Sequence, residues 1–287
     1  MNILFKCAAK TIIVVLIGGF MGATLVRFAP GYGVTEEELD SRLSADSLQT
    51  LRLSHEPPPN LMAFYLQYGN KLLHGDLGFS NAMHEPVREL IGERLPETLK
   101  SVGVGVTLGW TFGLCLAILS VMARFASVDF GTNLTATVLL CTPAAVLALL
   151  CVVAGVPGRL VIAAIIFPKV FQYARNLLLR SAALPHVLSA NARGLSDVRI
   201  FFKHILPVAG PQLLALAGIT VSMSFTSAIP VEALCDIPGI GQLAWKAALA
   251  RDLELLVVLT MIVTTVTFLA NSTADALGKV SSPRWTS

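Results

Sequence analysis

Long apolar stretches separated by short polar segments constrain this chain most strongly. A helix needs about 20 mainly apolar residues to cross a bilayer. Hydrophobic residues make up 54% of the 287 residues and charged residues 14%, and the mean hydropathy is +0.71. The pattern predicts an all-α integral membrane protein of about six transmembrane helices. The predicted spans are residues 11–28, 99–122, 134–154, 160–179, 213–229 and 253–269.

The distribution of Lys and Arg predicts how the spans are oriented. Basic residues in short loops are retained on the cytoplasmic side. With both termini in the cytoplasm, ten such residues lie inside, and only Arg159, Lys246 and Arg251 lie outside. Residues 1–28 then form the N-terminal tail and first span, residues 29–96 an extracytoplasmic segment, and residues 97–287 a transmembrane core. A cytoplasmic loop at about 181–207 joins the fourth and fifth spans.

Several classes of function are disfavoured by composition and motif. The net charge of +3 is not gathered into a basic patch, so we expect no nucleic-acid partner. The chain has no G-x-x-x-x-G-K-[ST] loop, so we expect no cofactor and no ATP bound by the chain itself. It also lacks H-E-x-x-H, G-x-S-x-G and metal-ligand spacing, which predicts no catalytic residues, no metal site and no enzyme activity.

The cytoplasmic loop carries the clearest local signals. Pro185 suits the first position of a helix, Gly194 suits the left-handed residue that ends one, and Ser196 suits the start of the next. We therefore predict two short helices, after which Pro207 resets the chain before the fifth span.

This pair of helices needs a surface to cover it. It has an apolar face and a basic face, which fits either anionic lipid headgroups or a protein partner. The apolar residues are Val198, Phe201, Phe202 and Ile205, and the basic residues are Arg193, Arg199 and Lys203.

The loop resembles the EAA loop of permeases from binding-protein-dependent ABC importers. Residues 190–196 read A-N-A-R-G-L-S and residues 204–207 read H-I-L-P. The resemblance to the dipeptide, oligopeptide and nickel branch continues in L-V-R-F-A-P-G at 25–31, G-D-L-G-F-S at 75–80 and E-A-L-C-D-I-P-G-I-G at 232–241. The family usually has a longer loop between the third and fourth spans, where residues 154–158 predict a tight turn.

The resemblance implies a type I ABC importer permease fold in the bacterial inner membrane. It implies a second permease that is a different chain, two cytoplasmic ATPases that use ATP and Mg, and an extracytoplasmic solute-binding protein. The cargo stays open among dipeptides, oligopeptides, nickel chelates and glycosides. The implied ATPase-coupling residues are Ser189, Ala190, Asn191, Ala192, Arg193, Gly194, Leu195, Ser196, Arg199 and His204. The implied outer loop carries Glu232, Pro238, Gly239 and Gly241.

Three polar residues within the spans are candidates for the translocation path. Lys169 follows Pro168 near the middle of the fourth span, where an ionisable group is expensive unless it faces water or a partner. A shifted span with a snorkelling lysine is the alternative. Ser222 and Thr226 in the fifth span fit a path wall, and they fit close helix packing as well.

Two other functions remain compatible with the residues alone. An ion-coupled secondary transporter often has a helix interrupted near a charged midplane residue, as at Pro168 and Lys169. A membrane scaffold without transport would need no ATPase. Only the importer is expected to depend on the cytoplasmic loop, so a substitution in that loop discriminates it from the secondary transporter and from the scaffold.

Overall fold

The computed structural model describes residues 75–80, 82–123 and 126–281, together with positions 13, 17, 18, 21 and 24. Most of the first predicted span and of the extracytoplasmic segment therefore lies outside the described residues. The chain divides into two compact units. One comprises Met1–Leu95 and Leu243–Thr265, and the other comprises Pro96–Gln242 and Val266–Ser287.

The described chain is almost entirely helical. A short antiparallel hairpin, β1 (Phe79–Ser80) and β2 (Glu85–Pro86), precedes the helices. The helices are α1 (Val87–Ala123), α2 (Ala126–Cys141), α3 (Ala144–Val153), α4 (Gly158–Ala182), α5 (Pro185–Ala192), α6 (Asp197–Ile200), α7 (Leu206–Leu234), α8 (Ile240–Leu249) and α9 (Leu253–Ser281). A π-helical segment, Phe201–Ile205, joins α6 to α7.

Four described helical stretches are long and apolar enough to cross a membrane. They are Val87–Met122, Gly158–Ala182, Asp197–Leu234 and Glu254–Ala274. The second, fourth and fifth predicted spans fall within them, and the sixth begins one residue before the last of them, so those predictions are confirmed. The first predicted span lies mainly outside the described residues.

The third predicted span was wrong as a single helix. Residues 134–154 divide between α2 and α3, and the two helices bend by 105° between Cys141 and Ala144. Pro143 explains the break, because it has no N–H to donate and disfavours helical geometry at the residue before it. The predicted topology requires α2 and α3 to cross the bilayer together as one broken span, which would be the fifth among the described residues.

The predicted break at Pro207 was also wrong. Helical structure continues from Asp197 to Leu234, and Pro207 lies in the first turn of α7. A regular α-helix would bring the Pro207 ring against the carbonyl of Lys203. The wider π-helical turn, Phe201–Ile205, contains that carbonyl and accommodates the ring without ending the helix.

In the second unit, α1 packs against α4 along a line of glycines. A Cβ atom added at Gly105 would come within 2.5 Å of the Ile162 side chain. Gly109 faces Ile166 and Gly113 faces Val170 at the same spacing of four residues. Small residues repeated at this interval let two helix backbones approach closely in a membrane.

In the first unit, the hairpin is held by the start of α9. The Ser80 hydroxyl donates to Asp252 Oδ2 at 2.6 Å, and the Phe79 N–H donates to Glu254 Oε2 at 3.1 Å. Asp252 Oδ1 also accepts the Leu255 N–H at 3.1 Å, as an N-cap does. The segment at 75–80, which resembles the importer family, is therefore in direct contact with the start of α9.

Candidate functional site

The capping and turn residues of the cytoplasmic loop occupy the positions that the sequence predicts. Helix α5 begins with Pro185, and Gly194 follows it with φ +74°, a left-handed conformation that glycine adopts without strain. Ser196 then occupies the N-cap position of α6 in an extended conformation. The first predicted short helix is confirmed. The second begins where predicted, but it continues into α7 instead of ending as a separate short helix.

Buried apolar side chains fix this loop to the transmembrane core. Phe201 is 2% exposed and joins Phe171, Leu178 and Leu213 in one hydrophobic cluster. The loop contributes four more buried members to that cluster, namely Val187, Ala190, Ile200 and Ile205. Movement of α5 or α6 therefore acts directly on α4 and α7, because close-packed interiors transmit displacement.

The opposite side of the loop presents large apolar side chains outward. Leu188, Val198 and Phe202 are 60%, 57% and 62% exposed. Three exposed cations, Arg193, Arg199 and Lys203, lie on the same segment. We call these six residues the loop surface.

The predicted apolar face of the loop was wrong in part. It grouped Phe201 and Ile205 with Val198 and Phe202, but the first two side chains are buried and the last two are exposed. Consecutive helical residues point about 100° apart, so Phe201 and Phe202 cannot share one face.

The two histidines of the loop approach each other. His186 Nε2 lies 3.3 Å from the His204 carbonyl oxygen, and the ring centroids are 6.2 Å apart. This contact joins the start of α5 to the π-helical segment. His204 thus takes part in the internal structure of the loop, whereas Ser189, Asn191 and Ala192 are exposed.

The outer-loop residues cluster around one buried carboxylate. Glu232, near the end of α7, has no solvent-exposed surface. Its Oε2 accepts the Gly241 N–H at 2.7 Å and the Thr98 hydroxyl at 3.1 Å. Thr98 Oγ1 in turn accepts the Ile240 N–H at 2.7 Å. Glu232 and Thr98 therefore satisfy the first two N–H groups of α8, which have no partner within the helix itself.

Glycines make room for this arrangement. A Cβ at Gly239 would collide with Glu232 Oε2, and one at Gly241 would lie 2.7 Å from the Ile229 Cα. Pro238, just before them, is exposed. Glycine is therefore required at positions 239 and 241 for the backbone to approach its neighbours this closely. Within the described part of the chain, Glu232 Oε1 has no hydrogen-bond partner.

The predicted tight turn between the third and fourth spans is also confirmed. It joins α3 to α4 through Gly155, whose φ is +69°. Gly158 then lies against the side chains of Cys235 and Ile237. Burial, and secondarily the nearby Cys151 thiol, raises the pKa of Cys235 above its usual value. Cys235 is a free thiol.

Lys169 lies near the centre of α4 and is half-buried. Its Nζ lies 5.9 Å from the centroid of the Tyr173 ring, one turn further along the helix. It forms no ion pair with any described residue. A lysine at the centre of a membrane helix costs roughly 2.5–3.5 kcal/mol on insertion scales, so this position calls for water or a polar partner.

Of the two hydroxyls predicted for the path, Ser222 contacts another helix and Thr226 bonds only to its own helix. Ser222 Oγ accepts a hydrogen bond from Asn271 Nδ2 of α9 at 2.7 Å, and it bonds to the Gly218 carbonyl of its own helix. The Thr226 hydroxyl donates to the Ser222 carbonyl, and the side chain is exposed. No hydrogen bond joins either hydroxyl to Lys169 among the described residues. The geometry of Ser222 therefore matches the packing alternative.

Two hydrogen bonds between spans were not predicted from the sequence. Thr98 pairs with Glu232, which lies 134 positions further along the sequence. Trp110 Nε1 donates to Thr220 Oγ1 at 2.8 Å and links α1 to α7. The G-x-x-x-G-x-x-x-G spacing from Gly105 was the available signal for close packing of α1, although it does not identify the partner helix.

Comparison with known proteins identifies the family to which this chain is similar. Residues 105–287 match the family described as binding-protein-dependent transport system inner membrane component. The oligopeptide transport system permease protein AppB of Bacillus subtilis is 24% identical, covering 92% of this chain and 94% of that protein. The di/tripeptide transport system permease protein DppB of Pseudomonas aeruginosa is 27% identical, covering 94% and 95%.

A solved structure shows the same fold. The MetNI methionine ABC transporter, in an inward-facing conformation, matches with a TM-score of 0.58 at 18% identity. The match covers 68% of this chain and 98% of that one. The predicted type I importer fold is therefore confirmed. With its apolar spans and its match over residues 105–287, the chain belongs to the binding-protein-dependent transport system inner membrane components, as a multi-pass permease subunit of an ATP-driven importer.

Proposed function

We propose that this chain is one of two different permeases in a peptide importer. Its relatives AppB and DppB are named for the transport of oligopeptides and of di- and tripeptides. Their sequences align with nearly all of this chain, which supports the same class of cargo. An extracytoplasmic binding protein delivers the peptide. Two cytoplasmic ATPases bind Mg and hydrolyse ATP, and this chain carries out no catalysis.

The loop surface is the observation that carries this proposal. Exposed large apolar residues grouped with cations are typical of sites that bind another protein. Behind the surface, Phe201 and Ile205 pack into the core beside α4 and α7. A partner bound to the loop surface would therefore move the transmembrane helices, which is what an ATP-driven importer needs.

The orientation of the chain follows from the same proposal. The loop surface must face the cytoplasm to reach an ATPase, which agrees with the excess of Lys and Arg in the loops assigned to that side. The hydrogen-bonded cluster of Glu232, Thr98 and Gly241, which we call the cradle, then lies on the outer side, where it accepts the first two N–H groups of α8. Ser222 and Thr226, the two hydroxyl residues predicted for the path, lie on α7, which follows the cytoplasmic loop.

Co-purification tests the coupling surface. A tagged chain is expressed with its gene neighbours, and the double variant Val198→Ser, Phe202→Ser is compared with wild type. Truncating two exposed anchors weakens docking by about tenfold or more, so we expect the ATPase to be lost while the second permease stays bound. Loss is measured by quantitative mass spectrometry of the purified complex.

Leu249→Ser is the matched control. Leu249 is 67% exposed and lies on α8, which the predicted topology places on the other side of the membrane. We expect this variant to retain the ATPase. Equal retention by the double variant would contradict docking through the loop surface, and purification of wild type without an ATPase would contradict the importer itself.

Uptake into proteoliposomes tests the cargo. We expect the complete importer to accumulate radiolabelled tri-alanine when ATP and the binding protein are both supplied. Accumulation of nickel but not of tri-alanine would instead assign the chain to nickel transport.

A further inference from the structure

One face of α4 is apolar in the first half of the helix and polar in the second half. Positions four, three, four, three and four residues apart lie on the same side of an α-helix. In that register the face begins with Ile162 and Ile166, which are both buried. It continues with four polar residues, Lys169, Tyr173, Asn176 and Arg180.

The first half of this face is covered by α1. Ile162 packs against Gly105 and Ile166 against Gly109. The second half is open in the described chain. Tyr173 is 53% exposed, Asn176 and Arg180 are exposed, and Lys169 is half-buried. We call these four residues the polar stripe.

Contact with lipid hydrocarbon would be energetically unfavourable for the polar stripe. Lys169 is about 16–20 Å along the helix from either end of α4, at a rise of 1.5 Å per residue, which exceeds the length of a lysine side chain. Asn176 and Tyr173 add donors and acceptors that hydrocarbon cannot satisfy. The stripe makes no hydrogen bond or ion pair with any described residue, so its partner must come from outside the described chain.

The charge of the polar stripe indicates what that partner is. Lys169 and Arg180 contribute two cations, and the stripe has no acidic residue. The Lys169 ammonium lies 5.9 Å from the centroid of the Tyr173 ring, and Tyr173 is an exposed side chain. A cation next to a phenol is well suited to bind a carboxylate through charge-assisted hydrogen bonds.

We propose that the polar stripe lines the translocation path and that Lys169 and Tyr173 bind the free carboxylate of a peptide as it crosses. The proposal rests on the function proposed above and adds a chemical requirement for the cargo. Arg180, three turns further along the same face, offers a second cation to the carboxylate. The stripe is then a route for the anionic end of the cargo.

Transport of matched peptides tests the charge requirement. The complete importer in proteoliposomes is supplied with tri-alanine or with tri-alanine amide, which lacks the carboxylate. Lys169→Gln removes a charge-assisted bond, so we expect uptake of tri-alanine to fall by about tenfold while uptake of the amide stays within about twofold of wild type. Lys169→Arg should keep most of the activity.

Lys246→Gln is the control for loss of a lysine elsewhere. Lys246 is exposed on α8 and is not part of the polar stripe. We expect this variant to transport both peptides like wild type. If Lys169→Gln transports tri-alanine as fast as wild type does, the proposal is overturned while the importer function stands. If wild type transports neither peptide, the peptide cargo proposed above is wrong. The thiol-labelling experiment described next then tests whether the polar stripe lines a water-filled path.

Thiol labelling tests whether water reaches the polar stripe. The five native cysteines are replaced by serine, and Tyr173→Cys, Asn176→Cys or Leu179→Cys is introduced separately into the assembled importer. Leu179 is an exposed apolar residue of the same helix outside the stripe. We expect an anionic methanethiosulfonate to label positions 173 and 176 at least about tenfold faster than position 179.

The reagent's charge reports on Lys169 directly. In the Tyr173→Cys chain, adding Lys169→Gln should slow the anionic reagent several-fold and leave a cationic analogue unchanged or faster. If positions 173 and 176 are as unreactive as 179, the stripe is closed by the second permease or by lipid, and the proposal is overturned.

Discussion

The cytoplasmic loop at 181–207, which we call the coupling loop, and the outer loop at 232–241 both resemble the same family. The first presents large side chains at its surface, whereas the second encloses a carboxylate. In the coupling loop, Val198, Phe202 and Arg199 point outward from a segment whose other side is packed. In the outer loop, Glu232 and Gly241 are buried and bind each other. One motif segment therefore presents large side chains at its surface, and the other forms an internal cradle.

The difference teaches how substitutions in the two loops should be understood. On the function proposed above, a change on the loop surface is expected to remove a contact with the ATPase and to leave the fold intact. A change in the cradle leaves buried polar groups without partners, which is destabilising whatever the partner does. Stability and coupling should therefore separate between the two loops.

Neighbouring phenylalanines of the coupling loop give the largest expected contrast. Phe201→Ala removes a side chain that is 2% exposed and should lower the free energy of unfolding by about 3–5 kcal/mol. Phe202→Ala, at 62% exposed, should change it by less than about 0.5 kcal/mol. Urea denaturation of the purified chain in detergent measures both. Equal losses would show that the loop surface is part of the folded core.

The buried carboxylate gives the next largest effect. Glu232→Ala leaves the Gly241 N–H and the Thr98 hydroxyl without their acceptor, so we expect a loss of about 2–3 kcal/mol. Glu232→Gln keeps an acceptor oxygen of the same reach and should lose less than half of that. The same denaturation assay compares them. Similar losses in both variants would mean that charge at α8, and not the hydrogen bond, holds the cradle.

A glycine from each loop gives the smallest contrast. Gly241→Ala places a Cβ 2.7 Å from the Ile229 Cα and should cost about 2 kcal/mol through overpacking. Gly194→Ala meets no atom within 4 Å, and only its φ of +74° opposes the substitution, at about 1 kcal/mol. Thermal inactivation in detergent ranks them. The reverse order would place the tighter packing in the coupling loop.

Local signals predicted local structure well. Pro185, Gly194 and Ser196 act within one or two turns of their own positions, and their helix boundaries were correct. The same kind of signal failed at Pro207 and was overlooked at Pro143. A proline can be accommodated in a continuous helix or can break one, and the surrounding packing decides which.

Pairings between distant residues were not predictable in this way. The Glu232–Thr98 bond, the Trp110–Thr220 bond and the α1–α4 glycine contact each join separate spans. A hydrophobic pattern shows that a helix is buried in lipid or protein, but every helix in a bilayer is apolar, so the pattern does not identify its neighbours.

The sequence by itself determined the membrane-spanning character, the helical punctuation of the coupling loop and the family resemblance, because each depends on composition or on residues close in the chain. The tertiary structure decided which side of each helix is covered. It buried Phe201 and exposed Phe202, enclosed Glu232 beneath α8, and left the polar stripe of α4 uncovered within the described chain. These outcomes depend on which helices pack together, and that is set by the fit of side chains brought together from distant parts of the chain.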